Sequence, residues 1–522
     1  MTEELSTPPT PTERRRVART ERAARRHDRR TALRYAEDST PAQRWTFLAV
    51  VSLGLLMIGL DNSILYTALP RLTHVLHASA LQSLWIINAY PLVLAGLLLG
   101  TGTLGDRVGH RRMFITGLAI FGLASLAAAF SPSAWALVAA RAFLGFAAAV
   151  MMPATLALIR LTFADERERN TAIGIWGAVA VVGAAAGPVL GGFLLEHFYW
   201  GSVFLINVPI CVVALGLTLL IAPPNVPHPD KRWDFVSSLY ALFALGGFTM
   251  TIKELARGSW TLAGVALLVA ICGGWVFVRR QNKLADPLLT VDIFRSRIFS
   301  GGVAAAAGGM FVLAGAELTT TQKLQLADEW TPLHAGLVVA IAAVCAIPMS
   351  AIGGAVLHKV GFLPLISGGF LSLTAGVLLA AWATHTGLQP ALYAGMMLVG
   401  LGAGSAMSVS STAIIGAAPL NRSGMAAGVE EVSYEFGTLI SVALTGSLLP
   451  MFLSAHLPEE LRSLGLAIMD SAEHASVAEP AYAQAYVSVL IILGVIAAAF
   501  AAYTGWAFRD NPTSGGNGGT HE

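Results

Sequence analysis

The sequence predicts an all-α membrane protein of 14 transmembrane helices, built as two six-helix halves with two further helices inserted between them. Three observations carry this. Hydrophobic residues make up 55% of the chain and charged residues only 12%, about half the charged share of a soluble domain. Apolar runs near the ~20 residues needed to cross a bilayer recur along the chain. Two segments of the first half are echoed in the second.

The runs fall, in order, at 45–69, 83–104, 113–131, 135–160, 171–194, 201–221, 236–253, 260–280, 298–325, 333–357, 362–383, 390–416, 425–453 and 482–508. The first opens at Trp45, behind a head that holds eleven Arg in 44 residues. That head is too long and too polar for a cleaved signal peptide. The first span carries Asp61 deep in its apolar run, about 24 Å from Trp45 at 1.5 Å per residue, and reaches Pro70. The second ends in Gly102-Thr-Leu-Gly-Asp106-Arg107-Val-Gly109-His-Arg111-Arg112. The fourth holds Arg141, followed by Gly145. The fifth contains Gly183-Ala-Ala-Ala-Gly187-Pro188-Val-Leu-Gly191-Gly192, a small-residue stripe along which helices approach closely. Spans 7 and 8 are joined by a short loop, span 9 carries Glu317, and span 13 carries Glu430, Glu431 and Glu435.

Lys and Arg stay on the cytoplasmic side of membrane proteins. With the N-terminus inside, 27 of the 33 Lys and Arg fall inside, five fall outside (Arg71, Lys253, Arg257, Lys323, Arg462), and Arg141 stays within a span. Both ends are therefore expected in the cytoplasm. The Arg-rich head reads as a topology signal, so no nucleic-acid partner is expected, and the Gly-rich end 514–520 reads as a tail.

The repeat fixes the organisation. Gly354-Ala-Val-Leu-His358-Lys359-Val-Gly361 follows span 10 with the glycine and basic-Val-Gly spacing of the loop after span 2. Gly174, Gly183 and Gly192 of span 5 fall opposite Gly428, Gly437 and Gly446 of span 13. The chain thus divides into a basic tail (1–44), a first half (45–221), the inserted pair with its flanking loops (222–297), a second half (298–508) with an acidic outer loop at 454–481, and a short tail (509–522). Related halves mark transporters that rock about a site near the membrane midplane.

Ionisable groups at membrane depth are costly and usually functional. Here they are Asp61, Glu317, Glu430, Glu431 and Glu435, against Arg141 as the one basic residue. That imbalance suits a cavity that takes up protons or organic cations. Glu431 and Glu435, four residues apart, share a helix face, and Glu430 is turned away by ~100°. Tyr66, Trp85, Tyr90, Trp176 and Tyr434 are candidates to stack on flat cations. No Gly-Lys-Ser/Thr loop, Gly-x-Ser-x-Gly or His-Glu-x-x-His occurs, which argues against an ATP-driven pump and against an enzyme. Cys211, Cys272 and Cys345 show no metal or disulfide spacing, so neither a metal nor another cofactor is expected.

The loop Gly102–Arg112 resembles the signature loop of the major facilitator superfamily, and the Gly183–Gly192 stripe resembles its antiporter motif. The end of span 1, Leu60-Asp61 to Pro70, is similar to that of the fourteen-span drug:proton antiporters. Gly428-Val-Glu430-Glu431-Val-Ser-Tyr434-Glu435 is similar to the quaternary-ammonium and methyl viologen exporters of that group. The resemblance covers about 45–510 and implies the major facilitator fold. It implies a bacterial inner-membrane antiporter that exports cationic drugs or antibiotics, with protons as the coupling ion. A transporter of one natural metabolite is the alternative. A monomer within the lipid bilayer is expected. Asp61, Glu317, Arg141 and the span-13 glutamates would serve coupling and cation binding. Arg141 resembles the span-4 Arg linked to proton coupling. Gly102, Asp106, Arg107, Gly109 and Arg111, with Gly183, Gly187, Pro188, Gly191 and Gly192, would serve gating. Asp106 is expected to cap the start of span 13 near Arg422 and Gly424. His358, where the first loop has Asp106, departs from the pattern and implies a weaker second latch.

Overall fold

A computed structural model describes residues 39–163, 165–227, 234–256, 258–284, 287–418, 423–470 and 474–509. The head 1–38, Arg422 and the Gly-rich end lie outside the described residues. Fourteen long helices run through them: α1 (Pro41–Val75), α2 (Ala80–Val108), α3 (His110–Ala129), α4 (Ala134–Thr162), α5 (Glu166–His197), α6 (Ser202–Ile221, interrupted at Ile206), α7 (Phe235–Ala256), α8 (Trp260–Gln281), α9 (Arg297–Leu326), α10 (Pro332–Val360), α11 (Phe362–Thr386), α12 (Gln389–Ala417), α13 (Ser423–His456) and α14 (Ala475–Phe508). Thirteen of them are long and apolar enough to cross a membrane, and α5 occupies the predicted fifth span. The chain is a multi-pass membrane protein. Pro41 and Phe508 lie on one face of the bundle, called here the near face; the opposite one is the far face.

Polar residues just outside the apolar runs set the helix starts. Thr40 and Gln43 form a reciprocal capping box with Pro41 in the first turn, and Ser79 and Gln82 repeat the box at α2. Ser133, Ser296 and Thr331 cap α4, α9 and α10 through their hydroxyls. Helices extend beyond the apolar runs, at α1 with a side-chain cap and at α14 without one. α1 starts four residues before Trp45, and α14 starts seven before the expected 482. The acidic loop after α13 is correspondingly shorter. It holds a 3₁₀ segment, Glu459–Asp470, whose Ile468 is fully buried in the second-half core.

The repeated loops turn on glycine. Gly109 (φ +100°) ends α2 and starts α3, and Gly361 (φ +87°) does the same between α10 and α11. A side chain is strained in that backbone region. At Gly109 there is also no room, since a Cβ would lie 2.2 Å from the Asn225 amide. Asn225 donates to the last carbonyl of α2, on Val108 (2.9 Å), and accepts from the Arg112 N–H of α3 (3.2 Å).

One buried core joins α1–α6 and takes in Ala314 and Leu318 of α9 with Val442 and Ala443 of α13, with Phe114, Phe121, Phe163 and Phe204 fully enclosed; a second joins α9–α14 around Phe370, Tyr482, Tyr486 and Phe508. Glycine permits the approaches between the halves, and these contacts lie toward the far face. A Cβ on Gly192 of α5 would sit 2.4 Å from Leu333 Cα of α10, and one on Gly336 would sit 2.2 Å from the Pro188 carbonyl oxygen. Gln325 Nε2 at the end of α9 donates to the Thr67 carbonyl of α1 (2.9 Å). The far face is therefore closed.

The inserted α7 lies against α2 and α13: Leu242 packs on Gly96, Leu92 lies beside Gly246, and Phe248 meets Phe436 at 5.9 Å. α8 packs on α7 where Gly247 and Gly273 allow it. At the near face, Arg280 and Ser237 hold Asp234, and Gln281 accepts from the Leu288 N–H (2.7 Å). Partial burial pushes the Asp234 carboxyl up, but these hydrogen bonds outweigh it and hold the carboxyl below its ordinary range. One span end is longer than expected. Lys253, read as the last residue of span 7 and counted on the outer side, is 4% exposed and bonds Glu254 Oε1 at 2.8 Å. The physical reason is that α7 runs on to Ala256, so both side chains fall inside the packing and neutralise each other.

Closure of the far face depends on the α5–α10 approach, so Gly336→Leu is expected to hold it apart. In a cysteine-free background, Thr67→Cys should react severalfold faster with a membrane-impermeant maleimide once Gly336→Leu is added. Unchanged labelling would show that another contact closes the face.

Candidate functional site

The site begins at Asp61, halfway along α1 and fully buried. Arg141 of α4 ion-pairs with its Oδ2 through Nη1. Asn207 of α6 donates from Nδ2 to its Oδ1 at 2.9 Å. Arg141 Nε donates to the Ile86 carbonyl of α2 (3.2 Å), and the guanidinium stands 4.6 Å from the centre of the Tyr90 ring, within cation–π range. The arrangement requires α4 to press on α2, and Gly145 allows it: a Cβ there would lie 2.4 Å from the Tyr90 carbonyl oxygen. Asp61, Arg141, Tyr90 and Asn207 are all 0% exposed. Removing one partner of such a pair costs about 3–5 kcal/mol, because the other charge is left buried and alone.

Of the second-half acids, Glu435 of α13 lies within electrostatic reach of Arg141. Tyr66 of α1 lies within the electrostatic reach of Glu317 (α9), Glu435 (α13) and Arg141, and Tyr90 within that of Asp61 and Glu435. Residues placed in spans 1, 2, 4 and 13 by sequence are thus linked, and Glu317 of span 9 joins them through Tyr66. Buried there with no hydrogen-bond partner among the described residues are the hydroxyls of Tyr66 and Tyr90, Arg141 Nη2 and Glu435 Oε2. Trp176 Nε1 and both amide atoms of Asn88 are likewise buried without one.

The remaining predicted residues divide. Glu430 is buried and accepts from the Tyr434 hydroxyl (3.0 Å). Tyr434 packs with Ile414 and Met425 toward the near face, so its hydroxyl serves Glu430. Glu431 is half-buried beside Glu430 and Glu435. Trp85 is half-buried toward the far end of α2, and Trp176 packs on the first-half core. Of the loop residues, Gly102 approaches Pro153, Arg107 is exposed, and Arg111 donates to the Leu219 carbonyl of α6 (3.0 Å). Asp106 stands 3.2 Å from His110 Nε2. Its expected partner Arg422 lies outside the described residues. In the stripe, Gly183 and Gly187 let α5 rest on Leu56 and Ser63 of α1, Gly191 meets Ile64, and Gly192 and Pro188 meet α10.

Sequence reasoning left Asn207 out. The available signal was a lone amide inside the apolar run Phe204-Leu-Ile-Asn207-Val-Pro. The Lys253–Glu254 pair was also left out, since span 7 was read as ending at Lys253.

With the site described, comparison with known proteins is informative. The Major Facilitator Superfamily model matches residues 51–320. Methyl viologen resistance protein SmvA of Salmonella typhimurium is 37% identical over 420 residues, covering 79% of this chain and 84% of that protein. Multidrug efflux pump LfrA of Mycolicibacterium smegmatis is 38% identical over 418 residues, covering 79% and 82%. Among solved structures, a bacterial homologue of the human lysosomal transporter Spinster, in an inward-facing and occupied conformation, superposes with a TM-score of 0.63 at 15% identity, over 90% of this chain and 98% of that one. At that identity the likeness concerns the fold alone.

The buried pair predicts non-additive stability. Arg141→Gln should lower the thermal midpoint of the detergent-purified protein, since Asp61 loses its counter-charge. Adding Asp61→Asn should recover part of that loss, because two neutral groups replace one orphaned charge. Simple addition of the two losses would show that the pair is not electrostatically coupled.

Proposed function

This chain belongs to the Major Facilitator Superfamily, and from that premise we propose that it exports lipophilic organic cations, or antibiotics of similar character, in exchange for protons. The observation that carries the proposal is the buried Asp61–Arg141 pair with Glu435 in the electrostatic reach of Arg141 and Glu317 in that of Tyr66, beside tyrosine hydroxyls that have no hydrogen-bond partner among the described residues. Its acids exceed its bases, and a proton or an organic cation corrects the imbalance. The names of the relatives, methyl viologen resistance and multidrug efflux, support a small cationic cargo.

The exchange proceeds by alternating access. The near face is cytoplasmic, both chain ends lie in the cytoplasm, and the protein works as a monomer in the bacterial plasma membrane. With the far face closed, cargo enters from the near side and settles among Tyr66, Tyr90 and the second-half glutamates. A proton on Asp61 removes the charge that holds Arg141. Freed from Asp61, Arg141 turns its guanidinium toward Glu435, whose Oε2 lacks a partner, and displaces the cation. Proton binding and cargo binding thereby exclude each other, which is what antiport requires. No resident cofactor is needed; the proton is the coupling ion.

Export should therefore stop when a protonophore collapses the gradient at constant ATP. Asp61→Asn should abolish ethidium efflux while membrane levels of the protein stay normal. Efflux that survives the collapse would overturn proton coupling.

A second expectation concerns cargo charge. Two positive charges in a low-dielectric cavity need more than one counter-charge. Glu431→Gln or Glu435→Gln should weaken export of a dication such as methyl viologen by about tenfold, ~1.4 kcal/mol, with a smaller loss for ethidium. Equal losses for the two cargoes would show that these glutamates do not count substrate charge.

A further inference from the structure

The Asp61 carboxylate is held from two sides by groups of different chemistry. On Oδ2 sits Arg141, a permanent cation that attracts only the charged form. On Oδ1 sits Asn207 Nδ2 at 2.9 Å. The same Nδ2 lies 3.4 Å from Ser125 Oγ of α3, while the other amide atom, Asn207 Oδ1, is buried without a hydrogen-bond partner among the described residues. An amide presents a donor and an acceptor at nearly the same place. Turned by half a revolution, it offers Oδ1 to a protonated carboxyl. The orphaned acceptor is the atom that this second state requires.

We propose that Asn207 is a positioning residue that holds Asp61 in both protonation states, so that the carboxyl stays in place when a proton releases it from Arg141. The inference rests on the proton-coupled reading above and deepens it. Without Asn207, a protonated Asp61 would have no fixed partner, and its rotation would leave it badly placed to re-form the pair with Arg141.

The surroundings favour this role over simple filling of space. Asp61, Arg141, Asn207 and Ser125 belong to α1, α4, α6 and α3 of one half, so rocking between halves does not pull the contact apart. The polar or titratable groups facing Asp61 from the elements packed around it are Arg141 from α4, Tyr90 from α2, and Asn207 and Cys211 from α6. The Cys211 thiol points to Met57 Sδ (3.6 Å), and α5 meets α1 through Gly183 and Gly187. From the other half, Glu317 and Glu435 approach through Tyr66 and Tyr90. Asn207 is thus the neutral group in contact with the carboxylate that can serve as donor or acceptor in turn.

The test uses the full chain in proteoliposomes and compares two reactions: ethidium transport driven by a pH gradient, and ethidium exchange at equal pH, which needs no net proton movement. Asn207→Leu, similar in size but without hydrogen bonds, should lower driven transport by about tenfold (~1.4 kcal/mol) and exchange by much less. Asn207→Ser, which keeps a donor and an acceptor, should restore part of the driven rate. If Asn207→Leu does not reach the membrane, the smaller Asn207→Ala gives the same comparison. Equal losses in both reactions would make Asn207 a packing residue, and an unchanged driven rate would exclude any role; either result overturns the proposal. Wild-type protein with a protonophore is the separate control: transport that ignores the gradient refutes proton coupling itself, whatever Asn207 does.

Discussion

The ion pair between Arg141 and Asp61 is the constraint around which the first half is arranged. Two opposite charges buried together in a membrane protein are costly unless further hydrogen bonds meet their remaining groups. Different helices supply most of these contacts: the Ile86 carbonyl and Tyr90 ring from α2, the Asn207 amide from α6, and Gly145 within α4 itself, which brings the backbones close enough for Arg141 to reach, while Arg141 Nη2 has no partner among the described residues. Four helices are thereby fixed relative to one another by one buried pair. The pair is confined to one half, so rocking alone cannot break it. In the proposed exchange, proton arrival is what releases it.

Contacts between the halves follow a different rule. Where α5 meets α10, glycines lie against backbone atoms, and where Thr67 receives Gln325 a neutral amide meets a carbonyl. Such surfaces associate by packing and part without stranding a buried charge. The strong electrostatic bond lies within a half and the weak, smooth contacts lie between halves, which is the division a rocking protein needs. The inserted α7–α8 pair adds neither to the buried charge of the site nor to the α5–α10 contact. It covers the seam of α2 and α13 from the side.

Much of this was legible in the sequence because the bilayer imposes a simple code. Apolar runs of spanning length, a one-sided distribution of Arg, and acids at membrane depth each have one main physical cause. The glycines at 109 and 361 were legible as a repeat, and their positive φ explains why glycine stands there. Helix ends were less legible: Thr40, Pro41 and Gln43 are polar or turn-like residues whose capping role shows only in three dimensions. The pairing of Asp61 with Arg141 was not legible, since 80 residues separate them and hydropathy says nothing of which helices touch. Asn207 was hidden for the related reason that one amide in an apolar run has no distinctive spacing. The burial of Lys253 was not legible because its adjacent partner, Glu254, makes a buried pair look like an ordinary polar helix end.

The arrangement of charge constrains what the site can accept. Asp61 and Arg141 cancel, so the remaining field is set by Glu317, Glu431 and Glu435, with Glu430 already engaged by Tyr434. A neutral cargo would leave those acids needing protons in every state, and proton occupancy would not change with cargo. In the proposed exchange a cationic cargo supplies the positive charge those acids need, and a proton on Asp61 supplies it instead by releasing Arg141 toward Glu435, so the two ligands compete by charge balance. Competition of that kind needs no particular cargo shape, only positive charge and enough apolar surface to leave water. Under the proposed function, broad specificity among organic cations and coupling to protons are compatible in one cavity: aromatic side chains would tolerate varied outlines while the carboxylates respond to charge.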